Sequence, residues 1–173
     1  MGSTFLAASI ALLLSQGADV TDADVWKRQV LHDEDAGIAA APLAASIHTA
    51  DAEQTGVLLQ CSSAKMSAYF AVEPLDFEKL AESNTSRARS RKGRLFIDGE
   101  LVDEQNWIYL PSLKAAWPTG KGVASKVFNA IVQGKTVEFE VSNKDRVTVY
   151  LPTPDDEFRA FADDCKTIRE ARG

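Results

Sequence analysis

The chain has 173 residues, 45% of them hydrophobic, which suits one domain of ordinary size able to bury its own core. Against 19 Lys and Arg stand 25 Asp and Glu, giving a formal net charge of -6 and a pI near 5.0, so whole-chain attraction to nucleic acid or anionic lipid is not expected. Any anion-binding role has to rest on a local patch.

Residues 1–18 read as a signal peptide. An apolar run extends from Phe5 to Leu14, and the small residues Ser15 and Gly17 suit signal peptidase. No Lys or Arg precedes the run, cleavage fits equally after Ala18 or Ala23, and the competing reading is a buried N-terminal helix of a cytosolic protein. The run is too short to span a bilayer, no second apolar run of spanning length follows, and no cysteine near residue 18 offers a lipid anchor. The expected location is periplasmic or secreted, with residues 19–25 a flexible mature N-terminus and 26–173 a single globular domain.

In chain order, Trp26, Arg28 and Val30 alternate with Lys27, Gln29 and Leu31 in a short strand, followed by an acidic turn, His32 to Asp35. Residues 36–50 are alanine-rich, and Leu43, Ala45 and Ile47 fit either a strand or a packed irregular stretch. Gly56 opens a strand with Val57, Leu59 and Cys61 on one face. After a turn at 62–65, Met66, Ala68, Phe70 and Val72 alternate again, which makes a hairpin that Pro74 ends. Residues 76–82 are a short helical or loop segment, and 83–94 are polar and basic. Leu95, Phe96 and Ile97 then meet Asp98-Gly99, the strongest hairpin-turn signal in the chain, and the return strand runs on to Trp107 and Tyr109. Pro111, Pro118, Gly120 and Gly122 mark a loop into an amphipathic helix carrying Val123, Val127, Phe128 and Ile131, closed by Gly134.

Residues 136–141 and 146–151 alternate as a one-sided hairpin about a turn at 142–145. Thr153 is placed to cap the last helix, with Pro154 at its first position and Asp155 and Asp156 at the positive end of its dipole. Phe158, Phe161, Ala162, Cys165 and Ile168 fall on one face of that helix. Strands dominate the middle and helices the C-terminal half. The expected class is α+β: a mostly antiparallel twisted sheet or small β-sandwich, with one or two amphipathic helices that include a C-terminal one, and one disulfide.

That disulfide joins the two cysteines, Cys61 and Cys165, both core-facing by pattern. In an exported protein the pair is oxidised, closing a loop of about 100 residues for roughly 4 to 5 kcal/mol in the chain-entropy picture. In a cytosolic protein the same residues are unlinked core thiols. No CxxC occurs, so neither a dithiol redox motif nor a zinc ribbon is indicated.

Reactive constellations are weak. The two histidines, His32 and His48, have no metal-ligand spacing; no serine lies in GxSxG; and Thr119-Gly120-Lys121-Gly122 lacks the parts of a phosphate-binding loop. No metal or other cofactor is expected. Asp155 with Asp156 and Asp163 with Asp164 are carboxylate pairs by adjacency only, better suited to capping and solvation. The exception to the acidic whole is the run Arg87, Arg89, Arg91, Lys92 and Arg94, fit to engage phosphate, an acidic glycan or an acidic partner face, or else to be a solvated loop. It has no interleaved aromatics, so nucleic acid is not an expected partner. Trp107, Tyr109 and Trp117 would add a binding surface if exposed and belong to the core otherwise.

Taken in order, LLQCSSAKMSAYFAV, RLFIDGEL with Trp107, a short helix, KTVEFEVSNKDRVTVYLP and PDDEFRAFADDC resemble the periplasmic accessory proteins found with type VI secretion systems. In that family a signal peptide precedes a tryptophan-led first strand, a cysteine follows an apolar strand, and a second cysteine closes a terminal helix. Those places fall here on Trp26, Cys61 and Cys165. The basic run and residues 36–50 lie outside the pattern. The resemblance implies an exported envelope accessory or adaptor that binds a protein or anionic envelope partner without catalysis. The alternative is a small periplasmic hydrolase whose acidic catalytic residues the sequence does not identify.

Overall fold

A computed structural model describes residues 25–32, 42–51, 53–75, 77, 88–142 and 144–171. The expected signal peptide, residues 19–24 of the expected mature N-terminus, Arg87, and the segment 76–82 apart from Phe77 lie outside the described residues.

Among the described residues, nine strands form one sheet: β1 (Trp26–Leu31), β2 (Ala44–Thr49), β3 (Val57–Ser62), β4 (Met66–Ala71), β5 (Arg89–Ile97), β6 (Glu100–Leu110), β7 (Ala115–Pro118), β8 (Val137–Val141) and β9 (Val147–Thr148). Their order is β1-β2-β3-β4-β7-β6-β5-β8-β9, and neighbours pair antiparallel throughout. Two helices among the described residues, α1 (Val123–Val132) and α2 (Asp156–Glu170), cover one face, α2 against β1, β2 and β3 and α1 against β4. The class is therefore α+β, with a C-terminal helix, and the sandwich alternative gives way to one continuous sheet.

Strand alternation determines which face each residue joins. Register places Val30, Ala45, Cys61 and Met66 in one row, and Arg28, Ile47, Leu59 and Ala68 in the next. These rows meet Phe158, Phe161, Cys165 and Ile168 of α2, spaced on one helical face as the periodicity requires. Farther along the sheet, Phe70 lies 5.0 Å from both Trp107 and Phe139, and Trp107 stacks on Phe139 at 5.8 Å. Gly93 makes this stack possible, because a Cβ there would sit 2.3 Å from the Trp107 ring. The Asp98-Gly99 turn has positive φ at both residues, 51° and 80°, as a tight right-twisted hairpin demands.

Of the two readings open for the alanine-rich stretch, the strand holds over Ala44–Thr49, where β2 lies between β1 and β3. Several other expectations need correction. The basic run is a strand rather than a loop from Arg89 onward, because the long β6 supplies a pairing partner over its whole length. The presumed loop after Pro111 holds a short 3-10 turn, Pro111–Leu113, and then β7, which bridges β4 and β6. The second strand of the late hairpin is cut to Val147–Thr148, with one further backbone bond from the Val149 N–H to the Val137 carbonyl. The cap of α2 is Asp155, not Thr153: its Oδ1 accepts from the Phe158 N–H at 2.8 Å, so Pro154 precedes the helix instead of opening it.

Candidate functional site

The basic run occupies the N-terminal half of β5, where alternation sends its side chains to opposite faces. Arg89, Arg91, Gly93 and Leu95 lie in register with Tyr109, Trp107, Gln105 and Asp103, on the face that carries the core. Ser90, Lys92 and Arg94 point to the other face, in register with Ile108, Asn106 and Glu104. A sequence reading that pooled five cations into one patch therefore overstated their convergence.

The two groups differ in electrostatic surroundings. Lys92 Nζ and Arg94 Nε each reach a Glu104 carboxylate oxygen at 2.7 Å, and Arg94 Nη1 reaches Glu140 at 3.4 Å. Lys92 and Arg94 together hold the Glu104 carboxyl below its ordinary range, and Glu104 in turn raises the Arg94 guanidinium. Arg146 extends the lattice, contacting Glu138 and Glu140 while its guanidinium lies 3.6 Å above the Phe96 ring. Arg89 and Arg91 have no carboxylate partner among the described residues; Arg91 Nη1 instead donates to the carbonyl of Ser90 at 2.9 Å. Among the described cations of the run, these two are available to a partner.

Among the described residues, the backbone of this half-strand is also unpaired on one side. β8 pairs with β5 only over Gly93–Ile97. Past that point Ser142 donates its N–H to the Lys92 carbonyl at 2.9 Å and then, at φ 62°, turns the chain away. Arg91, Lys92, Arg94, Glu140 and Ser142 line the resulting notch, about 300 Å³ in volume.

The aromatic candidates separate. Trp107 is 0% exposed and belongs to the core, so its assignment to a partner surface is corrected. Tyr109 is half-buried beside Ala116 on the core face. Trp117 is half-buried on the opposite face, its ring 5.7 Å from that of Tyr69, and there it neighbours Ile108. The sequence reading missed Tyr69, although its alternation with Ala68 and Phe70 already placed it off the core.

Cys61 and Cys165 meet as their faces foretold. Both are buried and approach to 2.7 Å, close to each other but beyond the roughly 2.05 Å of a disulfide. The Cys61 S–H points at the Cys165 carbonyl, 3.8 Å away. Burial, and then the neighbouring Cys61, push the Cys165 thiol far above its ordinary range. A groove of about 530 Å³ between the helices reaches Cys165, lined also by Met66, Phe128, Lys166 and Arg169.

Several other reactive candidates are held in structural contacts. His48 is buried, with Nδ1 3.0 Å from the Thr49 carbonyl and its ring 5.8 Å from that of Phe77. Asp155 caps α2 and also accepts from the Trp26 N–H at 3.1 Å, while Asp164 holds Arg28 at 2.7 Å. Asp156 pairs with Arg159. Gly120 gives its N–H to Gln105 at 2.6 Å, so the Thr119 to Gly122 glycines hold a turn against β6. Among the described residues no group of His, Cys, Asp and Glu is arranged to hold a metal ion, and no helix is long and apolar enough to cross a membrane.

Comparison with family models, curated proteins and solved structures finds no match to the chain.

Proposed function

We propose that the protein is an exported envelope accessory or adaptor domain that holds an anionic protein partner on the cationic half of β5. The carrying observation is that Arg89 and Arg91 stand on a strand fixed by pairing to β6, yet have no carboxylate partner among the described residues. Cations on a rigid strand need little further ordering to meet an acidic partner, unlike cations on a loop. Two other features support the reading. The resemblance to accessory proteins of type VI secretion systems points to the same class, and the apolar run at Phe5 to Leu14 points to export. In an oxidising envelope the buried Cys61 and Cys165 thiols would close as a disulfide, tying β3 to α2.

The experiment is co-purification from envelope extract at two salt concentrations, with wild-type protein and a variant carrying Gln at Arg89, Arg91, Lys92 and Arg94. Wild type should retain a partner that high salt releases. The variant should lose it at every salt concentration while its melting temperature stays within a few degrees, since exposed, salt-screened ion pairs contribute little to stability. Equal retention by both proteins at low salt would contradict the assignment.

A further inference from the structure

We infer that the open edge of β5 takes up an extended acidic segment of a partner protein as an added strand, in the lane that β8 leaves at Ser142. This rests on the reading of β5 as a partner surface and specifies how the partner is held.

The geometry follows from alternation of backbone groups. The Lys92 carbonyl faces β8, since it accepts from Ser142, and Asp98 likewise donates its N–H to Thr136 beyond the other end of β8. Even-numbered residues of β5 therefore direct N–H and C=O groups to the β8 side, and odd-numbered ones direct theirs to β6. Ser90 consequently aims both backbone groups out of the sheet, beyond the reach of β8. The edge is guarded by the chain's own Arg91, whose guanidinium satisfies the Ser90 carbonyl at 2.9 Å. An incoming strand would supply a backbone N–H in its place and free that guanidinium for a carboxylate.

Charge selects the occupant. Arg89 and Arg91 would flank the added strand on one face and Lys92 on the other, so acidic side chains at alternate positions meet cations on each. A second copy of this chain would bring the same cations edge to edge, and like charges oppose that pairing. A nucleic acid or glycan has no peptide edge to offer Ser90. The sheet's other long edge, β1, is less suited: Arg28 is already held by Glu157 and Asp164, and the Trp26 N–H by Asp155.

The test uses the full chain and two labelled seven-residue peptides, one alternating Glu with Val and one alternating Lys with Val, followed by fluorescence polarisation and amide hydrogen exchange. The acidic peptide should bind and the basic one should not, with new protection at the Ser90 and Lys92 amides. Ser90→Pro, which removes the outward N–H and leaves pairing to β6 intact, should weaken binding at least tenfold, whereas Val30→Pro on β1 should not. Arg89→Gln with Arg91→Gln should flatten the salt dependence. If Ser90→Pro does not fold, amide protection in wild type decides the matter alone. No binding of the acidic peptide, equal binding by Ser90→Pro, loss in Val30→Pro instead, or binding without protection at Ser90 would each overturn strand addition. A natural partner lost with the arginines but leaving the Ser90 amide unprotected overturns strand addition alone. A natural partner indifferent to the arginines overturns the β5 surface as well.

Discussion

Gly93 lies between Lys92 and Arg94, the last two cations of the basic run, and the Trp107 ring occupies the space a side chain would need. Any Cβ there meets ring atoms at 2.3 to 2.6 Å. Trp107 is fully enclosed and stacked on Phe139, so it has nowhere to go. Gly93→Ala should therefore cost about 1 to 3 kcal/mol, read as a lower urea midpoint with the slope unchanged; an unaltered midpoint would mean that the ring is not seated there. The glycine was visible in the sequence as an isolated one beside a strand, but what lay over it was not, since Trp107 comes from the opposing strand. Cys165 offers a second check. Its thiol is raised above the ordinary 9.0, chiefly by burial, so folding favours the protonated form. Its contribution is fully present below that ordinary value and is lost as pH rises above it. Reduced protein should lose stability progressively as pH rises above about 9, and Cys165→Ala should lose less over the same range. Parallel losses in the two proteins would assign the effect to other groups.

The elements show where periodicity suffices and where it does not. α2 was legible because Phe158, Phe161, Cys165 and Ile168 repeat at helical spacing, and the structure buries all four. Its start was read two residues early, since Thr153 and Asp155 are both capping residue types and only geometry separates them. Asp155 accepts from Phe158 at 2.8 Å and from Trp26 at 3.1 Å, joining the helix start to the first strand. Asp155→Ala should cost about 1 to 2 kcal/mol and expose both amides to faster hydrogen exchange. Asp155→Asn should recover most of that loss, and failure to recover would assign the effect to charge rather than to capping. The N-terminal half of β5 was misread for a different reason. Arg and Lys there carry no hydrophobic alternation, and the segment is a strand because β6 pairs with it. β7 was hidden likewise by Pro111, Pro118 and its length of four residues.

Over the whole molecule, hairpins between consecutive strands were readable and the sheet order was not. β4 pairs with β7, and β5 pairs with β8, across long stretches of chain that leave no local signal. That order seats α1 and α2 on one face and leaves the cationic half of β5 reaching past the end of β8. It also brings Cys61 and Cys165, 104 residues apart, into one buried contact. A bond between them would restrict the unfolded chain over most of its length and stabilise the domain by about 4 to 5 kcal/mol at most. Export and bridge formation stand or fall together, because the cytosol would keep both thiols reduced. Mass spectrometry of protein released from the envelope without reduction reads both at once. The predicted result is a chain beginning between Ala18 and Asp24, lighter by two hydrogens, whose peptide map holds a single crosslinked pair joining Cys61 to Cys165. A chain retaining residues 1–18 with two free thiols, or a bridge between two molecules, would contradict it.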